Sequence, residues 1–105
     1  MKIEKIAHQL KILGNPTRLA VFRQLVRFGP KGAPVRVVQD ALNLAGSTLT
    51  NHLQKLVEVG LAHQERKGVE IICTADFEAM PKIIEYLEDE CCADEKYDKN
   101  IRNLK

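Results

Sequence analysis

Val35-Arg36-Val37-Val38-Gln39-Asp40-Ala41-Leu42, a turn over Asn43 to Gly46, and then Ser47-Thr48-Leu49-Thr50-Asn51-His52-Leu53-Gln54-Lys55-Leu56-Val57-Glu58-Val59 form the stretch on which the fold turns. Leu49, Leu53, Leu56 and Val57 fall at i, i+4, i+7 and i+8, the apolar stripe of a helix that stops at Gly60. Val35, Val38 and Leu42 line one side of the shorter helix before it. Two short helices joined by a tight turn predict a helix-turn-helix, whose second helix, here Ser47 to Val59, can lie in a major groove.

Downstream, Leu61 to Arg66 and Val69 to Thr74 are β-prone runs about Lys67-Gly68 and predict a hairpin. From Ala75 onward the helical period returns, with Phe77, Met80, Ile83, Ile84 and Leu87 on one face. That last helix is expected to run from about Asp76 to Cys91, with Pro81 about one turn in, where a missing N–H costs least. Upstream, Ile3, Ile6, Ala7, Leu10 and Leu13 mark a first amphipathic helix that stops at Gly14. Asn15-Pro16 supplies a capping acceptor and a proline for the first turn of a second helix, ending near Phe28-Gly29-Pro30. Gly29 to Pro34 reads as loop. The fold class is therefore mainly α with a small β-hairpin: a winged helix-turn-helix of about five helices. Residues 1–92 make one DNA-binding and dimerisation domain, and 93–105 are a charged, flexible tail.

A chain of 105 residues fits one core, and its outer apolar helices gain stability by pairing with a second copy. No apolar run approaches the roughly 20 residues that span a bilayer, and Met1-Lys2-Ile3-Glu4-Lys5 does not open a signal-peptide core. A cytoplasmic protein without a membrane partner is expected. Three cysteines, two of them adjacent, do not make a disulfide framework. The formal net charge of +2 conceals a division along the chain. Residues 11–67 hold nine basic against three acidic side chains, and residues 70–95 hold nine acidic against Lys82 alone. A polyanion is attracted to the first region and repelled by the second. No Ser/His/Asp constellation, phosphate loop or hydrolase metal spacing points to an enzyme.

On the predicted second helix of the motif, Ser47, Thr48, Thr50, Asn51 and Gln54 can donate and accept at base edges. Lys55, with Arg66 and Lys67 of the hairpin, suits phosphates. The partner these residues fit is double-stranded operator DNA. Leu13-Gly14-Asn15-Pro16-Thr17-Arg18-Leu19, Ser47 to Leu56 and Gly60-Leu61 together make the chain resemble the arsenic-repressor (ArsR/SmtB) family of winged-helix regulators over nearly its whole length. The resemblance implies a homodimer through the first and last helices, and a repressor released from its operator by a metal, a metalloid or an oxidant. Ala45-Gly46 stands where the family often has a capping Ser and a Gln, so the cap is expected to move to Ser47.

The switch is read from what the chain has and lacks. The family's thiolate site on the helix before the recognition helix needs cysteines, and Val35 to Asp40 has none. The family's zinc site would fall on Asp76, Glu78, Asp89 and Cys92 without a histidine, which leaves zinc the less favoured inducer. His52 lies beside the core stripe, as a structural histidine does, and His8 and His63 lack ligand spacing. Glu88-Asp89-Glu90-Cys91-Cys92-Ala93-Asp94 resembles the subgroup with a cysteine pair at the end of the last helix, which implies arsenite or antimonite as the small inorganic inducer. Paired thiolates are soft donors of the kind trivalent arsenic and antimony prefer. Cys73 is either a third ligand, reached across an antiparallel dimer, or an ordinary buried strand residue. No cofactor is obligatory in this reading. Its rivals are a thiol-redox or zinc-responsive repressor of the same fold, and an interaction module that does not bind DNA. Acidic neighbours around the pair work against a peroxide sensor.

Overall fold

A computed structural model describes residues 2–95. The elements run α1 (Lys2–Leu13), α2 (Pro16–Phe28), β1 (Ala33–Pro34), α3 (Val35–Leu42), α4 (Gly46–Glu58), β2 (Ala62–Lys67), β3 (Glu70–Ala75) and α5 (Ala79–Glu88). This is a winged helix-turn-helix: α3 and α4 are the motif, and β2 and β3 are the wing. Of the tail predicted over 93–105, residues 96–105 lie outside the described residues.

Asn15 starts α2 as the sequence predicts, its side chain accepting the Arg18 N–H at 3.0 Å with Pro16 in the first turn. The core is built from the stripes of the central helices, where Val21, Leu25, Val38, Leu49, Leu53 and Leu56 are fully buried against Leu61 and Cys73. Gln9 is the buried polar side chain, 3% exposed, and its amide donates to the Val59 carbonyl at 2.9 Å. That bond ties α1 to the end of α4.

The sheet has the order β1-β3-β2, all antiparallel. In the wing, Lys67 pairs with Glu70 across the two-residue turn Gly68-Val69, one residue later than the β-prone runs suggest. The loop expected over Gly29–Pro34 closes differently, because Ala33 and Pro34 pair with Cys73 and Ile72. A proline is tolerated there since β1 is an edge strand. Gly32 permits the approach: it sits at φ +70°, and a Cβ would collide with the Cys73 carbonyl oxygen and Thr74 Oγ1.

Two expectations change at helix ends, the cap of α4 and the end of α5, while Pro81 sits where the sequence places it, early in the last helix. The cap of α4 is at Ala45 rather than Ser47, without a side-chain bond, and the Leu49 N–H reaches the Ala45 carbonyl at 3.0 Å. Pro81 is the third residue of α5, where N–H groups have no partner inside the helix, so the missing donor leaves no broken bond. The helix ends at Glu88, short of Cys91, because Asp89 is extended and Glu90 and Cys92 take positive φ of 59° and 66°. At ten residues α5 is about 15 Å long. The apolar side chains Ile3 and Leu10 of α1 and Ile84 and Leu87 of α5 are left exposed.

Candidate nucleic-acid interface

The buried stripe of α4 fixes what its other side presents. With Leu49, Leu53 and Leu56 inward, Ser47, Thr48, Thr50, Asn51, Gln54 and Lys55 are all exposed. Capping by the Ala45 backbone leaves the Ser47 hydroxyl outside the helix's own hydrogen bonds. Thirteen residues make a rod about 20 Å long and 10–12 Å thick, which matches a major groove about 12 Å wide. Arg66 and Lys67 are exposed at the far end of β2, and Lys67 Nζ lies 3.7 Å from Glu65 Oε1. The fold thus assembles the predicted polar helix face and the two wing cations on one molecule.

Arg36 belongs with this surface although sequence reasoning left it out. From the first turn of α3 its Nε donates to Glu70 Oε2 of the wing at 2.7 Å. The pair spans a cleft of about 450 Å³ whose lining includes Gln39 of α3, Thr50 of α4 and Gln64 of β2. The pairing of β1 with β3, Ala33 on Cys73 and Pro34 on Ile72, runs on to bring residue 36 beside residue 70, so nothing local in the sequence signals it.

The three cysteines stand in two environments. Cys73 is fully buried in β3, the central strand, and Gln64 Nε2 donates to its sulfur at 3.7 Å. Burial pushes its thiol up, and the Gln64 bond only partly offsets this. A ligand reaching Cys73 must open the hydrophobic core. Cys91 and Cys92 are exposed on turns beyond α5, with their sulfurs 3.3 Å apart. Among the described residues, no three His, Cys, Asp or Glu side chains group as a metal site.

His52 is half-buried on α4, and burial, with the Arg18 charge second, pulls its ring below the usual histidine range. Its Nδ1 and Arg18 Nε are buried and find no partner among the described residues. Arg18 Nη1 meanwhile donates to the Ile12 carbonyl at the end of α1, at 3.0 Å. His8 is exposed. His63, unremarkable by spacing, has Nε2 2.9 Å from Asp76 Oδ2, while Asp76 Oδ1 accepts the N–H groups of Glu78 and Ala79 at 2.9 and 3.0 Å. Asp76 is thereby the anchor of α5. Glu78 is exposed nearby, and Asp89 and Cys92 lie at the other end of the helix.

Residues 13–65 match the family of helix-turn-helix domains. A comparison with curated proteins finds no match. The chain is similar to an ArsR-like transcriptional regulator from Rhodococcus sp. RHA1, at 19% identity over 98% of this chain and 92% of that one, with a TM-score of 0.75. It is similar to the transcriptional repressor PagR of Bacillus anthracis at 29% identity, covering 83% and 97% of the two chains, with a TM-score of 0.69. A homodimeric winged helix-turn-helix DNA-binding domain of Mycobacterium bovis, from a possible ArsR-family transcriptional regulator, matches at 23% identity over 82% and 84%, with a TM-score of 0.65.

Proposed function

We propose, from the premise that the chain belongs to the helix-turn-helix domain family, that it is a homodimeric transcriptional repressor which leaves its operator when arsenite or antimonite takes Cys91 and Cys92. The observation that carries DNA binding is the sorting of α4, with three leucines inward and Ser47, Thr48, Thr50, Asn51, Gln54 and Lys55 outward beside Arg66 and Lys67 of the wing. In this reading residues 1–92 are the DNA-binding and dimerisation unit, and the exposed apolar side chains of α1 and α5 meet those of a second copy. The homodimeric state of the Mycobacterium bovis domain supports the pairing.

The inducer site rests on the chemistry of the pair. The two exposed sulfurs are 3.3 Å apart, close enough for one soft atom to bind both. Arsenious acid reacts without redox change: each thiol proton leaves with a hydroxide of arsenic, two As–S bonds form and two waters depart. Cys73 of the partner as third ligand is the weaker part of the reading, since Cys73 is fully buried in the core.

The test is a titration on a duplex selected from random DNA by the protein itself, with arsenite, zinc and peroxide added in parallel. Arsenite is expected to release the wild type and to leave Cys91→Ser with Cys92→Ser bound, while Cys73→Ser still responds. Release of the double variant by arsenite defeats the pair as the site. Release of the wild type by peroxide alone selects a redox switch.

A further inference from the structure

We propose that Glu70 is an exchangeable counter-ion for Arg36, and that a backbone phosphate of bound duplex takes its place, making Arg36 a DNA-contacting residue. The inference rests on the DNA-binding reading above and deepens it. A helix that fills the major groove leaves no room beside it for anything but the backbone walls of that groove. The cleft between α3, α4 and the wing lies on that flank: Thr50 of the base-reading face forms one wall and Gln64 and Glu70 of the wing another. Arg36 stands at this cleft with its side chain 70% exposed.

The existing partner is easily exchanged. Glu70 is held through Nε alone, and the two Nη groups have no partner among the described residues. An exposed pair of this kind is weak, whereas a guanidinium offers a phosphate two parallel N–H bonds. Free protein and bound protein therefore use the same cation with different anions. While the duplex is absent, Glu70 keeps the guanidinium over the cleft.

The rival explanation is a strut, in which the pair fixes the wing against α3 and either loss disorders the surface. The two differ in the sign of one variant. Exchange predicts that Glu70→Gln binds the selected duplex about two- to fivefold more tightly, because the competing carboxylate is gone. Arg36→Gln should lose about fivefold at roughly 0.15 M salt and flatten the log–log salt dependence by about 1.8, about 0.9 for the phosphate lost in each protomer. In the double variant the gain from Glu70→Gln should shrink to the small effect of removing one acidic charge near DNA.

The measurement is fluorescence anisotropy with that duplex over about 50–300 mM salt, on the wild type, both single variants and the double variant. Matching unfolding midpoints confirm that each is folded. Weaker binding by Glu70→Gln overturns exchange in favour of a strut. A gain that persists undiminished beside Arg36→Gln overturns it in favour of a general field effect. If Arg36→Gln changes neither affinity nor slope while Thr50→Ala still relaxes operator preference, the proposal falls and DNA reading stands. If the wild type selects no duplex, both fall.

Discussion

Replacing Asp76 by alanine should lower the stability of the fold by about 2 kcal/mol, and the contacts of one carboxylate give the figure. Oδ1 accepts the Glu78 and Ala79 N–H groups at 2.9 and 3.0 Å and is the side-chain cap of α5, since Glu78 at the cap position makes no such bond. Loss of a cap costs about 0.5–2 kcal/mol. Oδ2 lies 2.9 Å from His63 Nε2, whose side chain is 63% exposed, so the pair contributes at most about 1 kcal/mol. At roughly 4–8 °C per kcal/mol the midpoint of thermal unfolding should fall by about 10 °C, measured by circular dichroism at one fixed protein concentration. Asp76→Asn keeps an acceptor for both N–H groups and should lose about half as much. Burial pushes the Asp76 carboxyl up, but the N–H groups of Glu78 and Ala79 and the His63 ring outweigh it and hold it below the usual carboxylate range. The stabilisation is therefore complete above the unfolded value of about 3.9 and disappears as pH falls through the lower folded value. The gap between wild type and Asp76→Ala should be steady down to about pH 5 and close below it. Equal midpoints at pH 7, or a gap that widens in acid, refute the anchoring role.

Thr50→Ala or Asn51→Ala should relax operator preference by about 1–3 kcal/mol per lost base contact, whereas Arg66→Ala should weaken all sequences alike, as competition between selected and scrambled duplexes will show. Wild-type affinity should fall with salt at about 0.9 per neutralised phosphate, so Lys55, Arg66 and Lys67 of two protomers give a slope near −5, and the proposed Arg36 contact takes it to about −7; a slope near zero removes the electrostatic argument. Gly32→Ala should destabilise the fold more than Gly29→Ala in urea titrations, because both glycines have positive φ but only at Gly32 does a Cβ meet backbone, at Cys73.

The sequence was most legible where burial and period coincide. Leu49, Leu53 and Leu56 are spaced as a helix stripe, and burial of that stripe alone determines which polar residues of α4 face outward. Asn15-Pro16 was equally plain, because the capping chemistry is local. What escaped depended on distant partners. Ala33-Pro34 is a strand only because Cys73 and Ile72 lie opposite, and two residues carry no period. The early end of α5 comes from the positive φ at Glu90 and Cys92, residue types that do not announce it. His63 joins Asp76 through the wing register, across 13 residues, and Arg36 joins Glu70 through the pairing of β1 with β3, across 34. For the proposed inducer pair, adjacency in the chain already put the two sulfurs side by side, while the environment of Cys73 became visible only with the sheet.

The same contacts explain how outer helices could govern a DNA-reading surface that they do not touch with their apolar faces. α4 leaves through Val59 and the wing begins at Ala62, so the segment between them carries both proposed DNA-facing elements. α1 grips it through the buried Gln9 amide on the Val59 carbonyl, at 2.9 Å. The start of α5 grips it through the Asp76 N–H on the Leu61 carbonyl, also 2.9 Å, and through Asp76 on His63. In the proposed dimer, a rearrangement of α1 and α5 therefore moves helix and wing together. Tenfold release from DNA requires a difference of about 1.4 kcal/mol between the two arrangements. Each hydrogen bond in the grip is worth about 1 kcal/mol net, so straining one or two of them is of the required size. An inducer beyond the end of α5 then needs no contact with α4, provided that it binds more tightly to the arrangement in which those bonds no longer hold the recognition helices in register.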